Sequence, residues 1–402
     1  MKGFRDFYPE EKGKISYIFD IWKKIVEKYG YEEIDMPILE NIEIYNKSGS
    51  EIPEQIYRFK DKKGREVALR PETTPSIARM IKAKPDLKKP IKWFSISQCY
   101  RYERLQKGRN REFFQLNVDY LGSKTMQADA EVIVTLINIL KEFKLNEKNF
   151  YIKISNRKLM EDMFKECMVK NVKEVSRVLD KKDKLSEGEL KKELKKLKLS
   201  DLQIKDLFKF FEIKRLEEIE VKSEGLEELK ELFSILKKYK VSKYVELDLG
   251  VMRGFDYYTG TIFEAFDRKG KFRAIAGGGR YDNLAGVPGV GYAMGDIVLG
   301  LFVKNKIPEL KSKTEILIIP INTLNECLDI GEKLRKEGLN VEVDLLGRNI
   351  SKNLDYANKK GIEYVLIIGE DELKKKKVKL KNMENGKEEL LSIPSLVKKK
   401  LF

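Results

Sequence analysis

Histidine is absent from all 402 residues of the chain, and this absence excludes several kinds of catalytic site. Without an imidazole there is no Ser-His-Asp triad, no HExxH zinc site and no histidine general base. Catalysis then has to depend on carboxylates, arginines, tyrosines, backbone groups or ions. The composition therefore favours phosphoryl or nucleotidyl transfer, in which positioning and charge neutralisation supply most of the catalysis.

The chain has only three cysteines, and it has neither a long apolar run nor an apolar N-terminal segment. Cys99, Cys167 and Cys327 form neither a CxxC pair nor a metal-ligand spacing, which predicts reduced thiols. No apolar run approaches the ~18 residues of a membrane span. The opening, MKGFRDFYPEEKGK, has no apolar signal region, so we expect a cytoplasmic protein with no membrane partner. The chain lacks a GxxxxGK(S/T) loop, which disfavours a P-loop NTPase.

Positive charge is the most prominent compositional feature. The formal net charge is +16, and the pI of about 9.3 is correspondingly high. Such a balance suits a polyanion such as nucleic acid, or an anionic membrane. Because 36% of the residues are charged, a solvated surface is the alternative interpretation. The length and the 42% hydrophobic residues allow a sizeable core in two or three domains.

The spacing of apolar residues predicts the elements of the first half of the chain. Apolar residues recur at helical spacing over residues 10–29. Residues 91–103 and 111–122 are typical of two strands, joined by the basic loop Arg104 to Arg111. A helix is predicted from about Met126 to Phe143.

Changes in composition predict the domain organisation. Residues 156–238 are rich in Lys, Glu and Leu at helical spacing, which predicts a helical insertion in a core of residues 1–155 and 239–305. Residues 306–313 are the predicted linker. The β-α-β-α-β alternation of residues 314–402 predicts an α/β domain with a largely parallel sheet.

The basic loop and its flanking strands, YRYERLQKGRNREFFQ, carry anion-binding groups. Because strand positions alternate, Arg101 and Glu103 are predicted to share one face of their strand, and Phe113 and Gln115 one face of theirs. This set can hold a nucleotide: the arginine binds the α-phosphate, the glutamate accepts from an adenine amino group, and the phenylalanine stacks on the base. The alternative is a solvated hairpin tip with a core phenylalanine.

Seven segments together resemble the histidyl-tRNA synthetases, a family of class II aminoacyl-tRNA synthetases. KGFRDFYPEE resembles the family's opening, YGYEEIDMPILE its motif 1, and ALRPETTPSIAR its histidine-binding segment. YRYERLQKGRNREFFQL is similar to motif 2. RGFDYYTG (residues 253–260) closely matches a peptide characteristic of the family, and GGGRYDNL is nearly as typical. YANKKGIEYVLIIGEDELKKKKVKLKN looks like the family's anticodon-binding domain.

The resemblance implies a fold and an activity. The implied fold is α+β: a class II catalytic domain with an antiparallel sheet and flanking helices, the helical insertion, and a C-terminal α/β anticodon-binding domain. The implied activity is ATP-dependent ligation of L-histidine to tRNA(His) through histidyl-adenylate, with release of AMP and pyrophosphate. ATP is then a substrate, and Mg²⁺ is carried on its phosphates rather than in a protein metal site. Motif 1 implies a homodimer.

The resemblance also implies which residues form the site. Arg253 and Arg101 are the predicted catalytic residues, because they neutralise charge while the histidine carboxylate attacks the α-phosphorus. The predicted histidine-binding residues are Glu72, Thr73, Thr74, Arg101, Gln115, Asp119, Arg253, Tyr257 and Tyr258. The predicted ATP-binding residues are Arg101, Glu103, Arg109 and Phe113.

The chain departs from the family pattern at several positions. Val298 stands where many members align a motif 3 arginine over the adenine, so either ATP binding is weaker there or another basic group substitutes. Asp296 is the predicted N-cap of that helix. Other members often carry glutamate at Asp119. Tyr102 and Phe114 stand where several relatives place histidine, which indicates that these positions need an aromatic shape.

Complete absence of histidine suggests a hypothesis about synthesis of the chain itself. A histidine-free synthetase can be made when charged histidyl-tRNA is scarce, with a Lys-rich compositional bias as the alternative. The crevice beyond the strand ends of residues 314–402 is the predicted anticodon reader. Lys374 to Lys377, Lys398 to Lys400 and Arg348 can add phosphate contacts, or they are solvated faces.

A second function class remains open at this point. A catalytically inactive, synthetase-like regulatory subunit of histidine biosynthesis would share much of the sequence. That paralogue lacks the anticodon domain and usually the catalytic arginine, whereas this chain keeps Arg253 and residues 314–402. A tRNA-sensing kinase module is disfavoured, because no HRDLxxxN or DFG motif is present.

Overall fold

Two units divide the chain, Met1–Pro308 and Glu309–Phe402. The computed structural model describes residues 1–45, 52–179, 185–251, 258–309 and 312–398. The helices of the first unit are α1 (Pro9–Glu27), α2 (Ile52–Gln55), α3 (Thr74–Ala83), α4 (Met126–Glu142), α5 (Arg157–Glu166), α6 (Val172–Leu179), α7 (Glu187–Lys196), α8 (Asp201–Glu212), α9 (Glu224–Lys238) and α10 (Asp296–Val303). Its strands are β1 (Glu32–Glu33), β2 (Leu39–Asn41), β3 (Arg58–Lys60), β4 (Glu66–Leu69), β5 (Ile91–Tyr100), β6 (Glu112–Leu121), β7 (Phe150–Asn156), β8 (Val245–Leu247), β9 (Thr261–Asp267), β10 (Ala276–Leu284) and β11 (Val287–Gly295).

An eight-stranded sheet organises the first unit, in the order β1-β5-β6-β11-β10-β9-β7-β8. Only its two edge pairs, β1 with β5 and β7 with β8, are parallel among the described pairings. The strands between them run antiparallel. A smaller antiparallel sheet has the order β2-β4-β3. The expected antiparallel sheet with flanking helices is therefore confirmed.

Helices cover one face of the large sheet. The predicted amphipathic helix is α1, which buries Ile18, Trp22 and Ile25 at helical spacing. These residues share one hydrophobic cluster with Leu116 and Val118, which point from β6 to the same side. Burial of this cluster fixes which face of the sheet is packed, because a slip of one residue in any strand would exchange its two faces.

The predicted insertion, residues 156–238, is helical and contains α5 to α9. Two of its helices begin with reciprocal capping boxes, Ser186 with Glu189 and Ser200 with Gln203. Its buried leucines, Leu229 for example, belong to the same hydrophobic cluster as the covered face of the sheet. The helices therefore extend the core of this unit.

The second unit contains a sheet of its own. Its helices are α11 (Leu324–Lys336), α12 (Ile350–Lys360), α13 (Glu370–Lys374) and α14 (Ile393–Lys398), and its strands are β12 (Ile316–Ile321), β13 (Val341–Val343), β14 (Tyr364–Gly369), β15 (Val378–Asn382) and β16 (Glu388–Leu391). The strand order is β13-β12-β14-β15-β16, with the first three strands parallel and the last two pairings antiparallel. Ile318 packs on one side with Leu334, and Leu317 on the other with Ala357. The largely parallel α/β arrangement is confirmed, with apolar residues on both faces.

Two local predictions near the basic loop are wrong. The strand predicted to reach Glu103 ends at Tyr100, because the next backbone groups leave the sheet: Tyr102 N donates to Gln55 O, and Glu103 N turns back to Arg101 O. The predicted strand alternation of Arg101 and Glu103 therefore does not exist. At the start of α10 the N-cap is Gly295, and Asp296 is the first helical residue.

Within the described residues, the helices do not reach the combined length and apolarity that crossing a membrane requires.

Candidate active site

The face of the large sheet opposite the helices carries the predicted site residues of β6. Phe113, Gln115 and Asp119 alternate with Leu116 and Val118, which are buried in the hydrophobic cluster. We call the face that carries Phe113, Gln115 and Asp119 the site face. Sequence alternation alone places these three residues together, because they lie on one continuous strand.

Glycines on the neighbouring strands make room on the site face. Gly291 of β11 pairs with Asp119 of β6, and Gly279 of β10 pairs with Gly291. A Cβ atom on Gly291 would lie 2.5 Å from Asp119 Oδ1, and one on Gly279 would lie 2.8 Å from the ring of Tyr258. Any larger residue would collide with these side chains, so both glycines are required by close approach rather than by backbone conformation.

Asp119 is 2% exposed and its two oxygens have different surroundings. The Tyr281 hydroxyl donates to Oδ1, whereas Oδ2 is buried and has no hydrogen-bond partner among the described residues. Burial raises the pKa of the Asp119 carboxyl to about 7, although the hydrogen bond from Tyr281 acts to lower it. Sequence reasoning missed Tyr281, whose signal was its position in GGGRYDNL.

Gln115 is also buried and held by a neighbour on its own strand. Its Nε2 donates to Asn117 Oδ1 at 2.5 Å. Asn117, which sequence reasoning did not single out, lies two residues further along β6 and therefore on the site face. The amide of Gln115 is thus oriented before any ligand binds.

Arg101 joins two segments of the predicted site. Its Nε donates to the carbonyl of Pro71 at 2.9 Å, and its guanidinium carbon lies 5.3 Å from the centre of the Phe113 ring. Pro71 immediately precedes Glu72 in the segment predicted to bind histidine. The guanidinium therefore lies between that segment and the aromatic ring predicted to bind adenine, although it is not on a strand.

Glu103 and Arg109, both predicted to bind ATP, form an ion pair across the basic loop. Arg109 Nε lies 2.8 Å from Glu103 Oε2, and the two side chains are 29% and 11% exposed. The pair neutralises the two charges in the absence of a ligand. Binding of a nucleotide at both residues requires them to exchange partners.

The segment around α3 contributes Glu72, Thr73 and Thr74. Thr73 is the N-cap of α3 and Thr74 its first residue. The Thr73 hydroxyl is fully buried and has no hydrogen-bond partner among the described residues.

The Cys99 thiol lies near two of the predicted site residues. Burial raises the pKa of this thiol to about 11, while the charge of Arg101 lowers the pKa and that of Glu72 raises it. The charges of Arg101 and Glu72 therefore both act on Cys99. Cys99 lies on β5 and pairs with Phe113 of β6.

One hydrophobic cluster connects four of the motif segments. Ile77 of α3, Leu121 of β6 and Tyr281 of β10 belong to it, and Tyr258 packs against it. These residues come from ALRPETTPSIAR, the strand of motif 2, GGGRYDNL and RGFDYYTG. Segments that are distant in sequence therefore surround the same end of the site face.

The key residues of RGFDYYTG are only partly covered. Arg253 and Tyr257 lie outside the described residues. Tyr258 is described, and its carbonyl accepts a hydrogen bond from Arg157 Nη1 at 2.8 Å. The following residue, Thr259, donates its backbone N–H to the carbonyl of Arg280 at 2.8 Å. The end of the segment is thus tied to two different elements.

The histidyl-tRNA synthetase family model matches residues 3–295. The chain belongs to the histidyl-tRNA synthetase family. A model of the anticodon binding domain matches residues 315–400, within the second unit. The family assignment therefore rests on most of the chain, including every residue predicted for the site.

Curated relatives of this family align over almost the whole chain. The histidine–tRNA ligase of Leptospira biflexa is 38% identical, covering 99% of this chain and 96% of the relative. Those of Thermoplasma volcanium and Pyrococcus abyssi are each 36% identical, covering 99% of this chain and 97% of the relative.

Solved structures agree on the architecture. A histidyl-tRNA synthetase from Nostoc has a TM-score of 0.84 at 25% identity, covering 99% of this chain and 98% of that one. A Bacillus halodurans structure described as an ATP phosphoribosyltransferase regulatory subunit/histidyl-tRNA synthetase has a TM-score of 0.78 at 24% identity, covering 92% and 97% of the two chains. The latter similarity shows the shared fold alone.

Three of the positions at which this chain departs from family residues contact neighbouring residues, although Tyr102 is 56% exposed. Val298 lies against the basic loop, where a Cβ on Gly108 would come within 3.3 Å of Val298 Cγ2. Phe114 packs edge-on against Phe19 with ring centres 5.0 Å apart, and Tyr102 packs against Tyr57 at 5.6 Å. The two aromatic substitutions for histidine therefore have packing roles.

Proposed function

We propose that this chain is a histidine–tRNA ligase, which activates L-histidine with ATP and transfers the histidyl group to tRNA(His). The curated relatives that align over 99% of the chain carry the name histidine–tRNA ligase. In the first step a carboxylate oxygen of histidine attacks the α-phosphorus, and the bond to the pyrophosphate leaving group breaks. In the second step a hydroxyl of the terminal tRNA ribose attacks the activated carbonyl, and AMP leaves.

Arg101 is the residue that carries this proposal. Its guanidinium is held by the Pro71 carbonyl and lies over Phe113, between the predicted histidine and adenine positions. Its Nη1 and Nη2 atoms form no hydrogen bond with the described residues. We assign them to the α-phosphate and the histidine carboxylate, whose negative charges must approach each other for reaction. Arg253 is the second proposed catalytic residue, assigned by its place in RGFDYYTG.

The proposed histidine site uses the buried polar groups of the site face and of the α3 segment. Asp119 and Gln115 face the substrate ring and its α-amino group, together with the predicted residues Glu72, Thr73, Thr74, Tyr257 and Tyr258. Thr73 Oγ1 and Asp119 Oδ2 are buried and lack partners among the described residues, so a polar substrate would satisfy them. A substrate without matching polar groups would leave them unpaired and would bind much more weakly.

The proposed ATP site uses Arg101, Glu103, Arg109 and Phe113. Adenine stacks on Phe113, and the adenine amino group donates a hydrogen bond to Glu103. The ion pair between Glu103 and Arg109 breaks at this step. Arg109 then becomes available to the terminal phosphates, since it is part of the same loop. This exchange keeps both charged groups hydrogen-bonded in the free and the bound state, with Arg109 paired to a phosphate and Glu103 bonded to the neutral amino group.

Magnesium is proposed as a component of the ATP complex. The described residues contain no group of three or more Asp, Glu, Cys or His that could hold a metal ion. The arginines fit a metal–nucleotide ligand, because a Mg²⁺ ion bound to the phosphates leaves residual negative charge for them to contact. The ion would screen the phosphate charge as the carboxylate approaches.

A homodimer is proposed from motif 1 and the apolar surface around it. Ile38, Leu39 and Phe59 are 42%, 43% and 50% exposed, and they lie on or beside two strands of the small sheet. Exposed apolar side chains grouped on one sheet are typical of a contact surface. Sedimentation equilibrium of the wild type and Leu39→Asp tests this proposal. A monomeric wild type would contradict it.

The regulatory subunit is the second candidate function. A structure with that description shares the fold, but only at 24% identity. The match of residues 315–400 to an anticodon binding domain favours the ligase, because a regulatory subunit has no anticodon to read.

Amino-acid-dependent ATP–pyrophosphate exchange is the experiment that tests the ligase. We expect exchange with histidine and not with other amino acids. Arg101→Ala should abolish it, and Arg101→Lys should retain little activity, since lysine keeps the charge but lacks the planar fork. Arg253→Ala should behave like Arg101→Ala. Absence of exchange with every amino acid in the wild type would contradict the ligase and favour the regulatory subunit.

A further inference from the structure

Tyr281 is a polar residue of the site face to which no role has been given above. It is 5% exposed, and its hydroxyl donates to Asp119 Oδ1. The two residues are 162 positions apart in sequence and meet only because β10, β11 and β6 are adjacent in the sheet. The hydrogen bond therefore depends on the register of three strands.

Within the part of the chain that the structure describes, one oxygen of the Asp119 carboxylate has no donor. Asp119 Oδ1 accepts from Tyr281, whereas Oδ2 is buried and has no partner among the described residues. A buried acceptor without a donor is costly, and such atoms in native proteins need an explanation. An N–H group of a ligand at the site face would supply the missing donor.

Packing fixes the tyrosine ring and the carboxylate in this arrangement. The ring belongs to the hydrophobic cluster with Ile77 and Leu121. Glycines face both members of the pair: a Cβ on Gly289 would lie 2.7 Å from Tyr281 Cε2, and one on Gly291 would lie 2.5 Å from Asp119 Oδ1 and 3.1 Å from the Tyr281 hydroxyl. The pocket that holds the pair therefore depends on the absence of side chains at two positions of β11.

We infer that Tyr281 is a positioning residue for substrate recognition: by bonding Oδ1, it fixes Asp119 so that Oδ2 accepts the ring N–H of histidine. This inference rests on the proposed function. When the orientation of Asp119 is fixed, Oδ2 can accept a hydrogen bond only from a correctly placed ring N–H. Amino acids whose ring has no N–H leave Oδ2 unpaired and bind more weakly. Tyr281 thus contributes to selectivity without contacting the substrate itself.

Tyr281→Phe removes only the hydroxyl, and Tyr292→Phe is its matched control. Tyr292 is a buried tyrosine of the adjacent strand whose hydroxyl contacts Thr135 at 3.3 Å, on the helix-covered face. Both variants lose one buried hydroxyl from the same sheet. A difference between them therefore reports the position of the hydroxyl and not a general loss of packing.

Exchange kinetics form the first readout. We expect Tyr281→Phe to raise the KM for histidine about ten-fold, with the KM for ATP within about two-fold of the wild type and little change for Tyr292→Phe. The ratio of kcat/KM for histidine to that for thienylalanine, whose ring has no N–H, should fall about ten-fold in Tyr281→Phe alone. This ratio does not depend on the folded fraction, since both substrates are measured on one preparation.

Nuclear magnetic resonance of bound histidine forms the second readout. The chain contains no histidine, so every imidazole signal in the complex comes from the substrate. We expect a downfield ring N–H resonance in the wild-type and Tyr292→Phe complexes, and an upfield shift or loss of this resonance in Tyr281→Phe. A structural role for the tyrosine would leave the resonance unmoved.

The outcomes separate this inference from the proposed function. Histidine-dependent exchange with an unchanged selectivity ratio and ring resonance in Tyr281→Phe would overturn the inference alone. Equal effects of Tyr281→Phe and Tyr292→Phe would also overturn it. Absence of exchange with any amino acid in the wild type would remove the ligase function, and the inference with it.

Discussion

Arg157 holds the end of RGFDYYTG in place. Its Nη1 donates to the carbonyl of Tyr258 at 2.8 Å, and its backbone N–H donates to the carbonyl of Gly260 at 2.8 Å. Arg157 is the first residue of α5, with which the helices of the predicted insertion begin. The described end of this segment, Tyr258 to Gly260, is therefore fixed to the start of those helices.

Arg157→Ala should weaken histidine binding through Tyr258. Loss of a charge-assisted bond to a backbone carbonyl frees the end of the segment, so we expect the KM for histidine to rise about ten-fold while the KM for ATP changes little. Exchange kinetics provide the measurement. Arg268→Ala is the control, because Arg268 also donates to a backbone carbonyl, that of Glu147, at 2.9 Å. Equal effects of both substitutions would contradict a specific role for Arg157.

Each partner of the buried ion pair between Arg280 and Asp129 should be needed for the stability of the first unit, because the other charge would otherwise be buried alone. Both side chains are almost completely buried, and Arg280 also donates to the carbonyls of Ser123 and Thr125. Removal of one partner leaves an uncompensated buried charge, so Arg280→Ala or Asp129→Ala should lower the free energy of unfolding by about 3–5 kcal/mol. Urea unfolding provides the measurement.

Double substitution tests the coupling within that pair. The variant with both alanines should lose less stability than the sum of the two single variants, because no lone charge remains buried. Lys359→Ala is the control, since its ion pair with Asp355 is exposed and should contribute less than about 1 kcal/mol. Strict additivity of the two buried substitutions would contradict the expected coupling.

Asp119 should make stability depend on pH. Its pKa is raised from 3.8 to about 7 by burial, so between these values the native state keeps a proton that the unfolded state has lost. The free energy of unfolding should therefore increase as the pH falls from about 7 to about 4, relative to Asp119→Asn. The expected gain is about 4 kcal/mol, at 1.36 kcal/mol for each unit of pKa difference.

Urea unfolding of wild type and Asp119→Asn across that pH interval provides the measurement. The asparagine variant removes the titrating group while keeping the size of the side chain, so the difference between the two curves isolates Asp119. A difference that does not change with pH would show that the carboxyl keeps its ordinary pKa.

Val298→Arg tests whether the missing motif 3 arginine limits ATP binding. Val298 lies beside the turn of the basic loop at Gly108, so a guanidinium there would reach the predicted ATP site. We expect the KM for ATP to fall about five-fold at saturating histidine. Val298→Met, which adds length without charge, should have little effect. An unchanged KM in Val298→Arg would indicate that another basic group already fills this role.

Some features of the site could be predicted from the sequence because they are local or carried by family motifs. The alternation along β6 correctly placed Phe113 and Gln115 on one face, and Asp119, predicted from the family resemblance, lies on the same face. Alternation failed at Arg101 and Glu103, where the chain leaves the sheet and hydrogen-bonds elsewhere. The predicted roles of Arg253 and Tyr257 remain predictions, since both lie outside the described residues.

The sequence by itself determined the excluded chemistries, the elements with regular apolar spacing and the family. Absence of histidine is a property of composition, and helical or strand spacing is a property of neighbours along the chain. Only the tertiary structure decided that Tyr281 meets Asp119 and that Arg157 meets Tyr258, across 162 and 101 positions of sequence. The physical reason is that strand register and close packing choose such partners, and neither leaves a periodic pattern in the sequence.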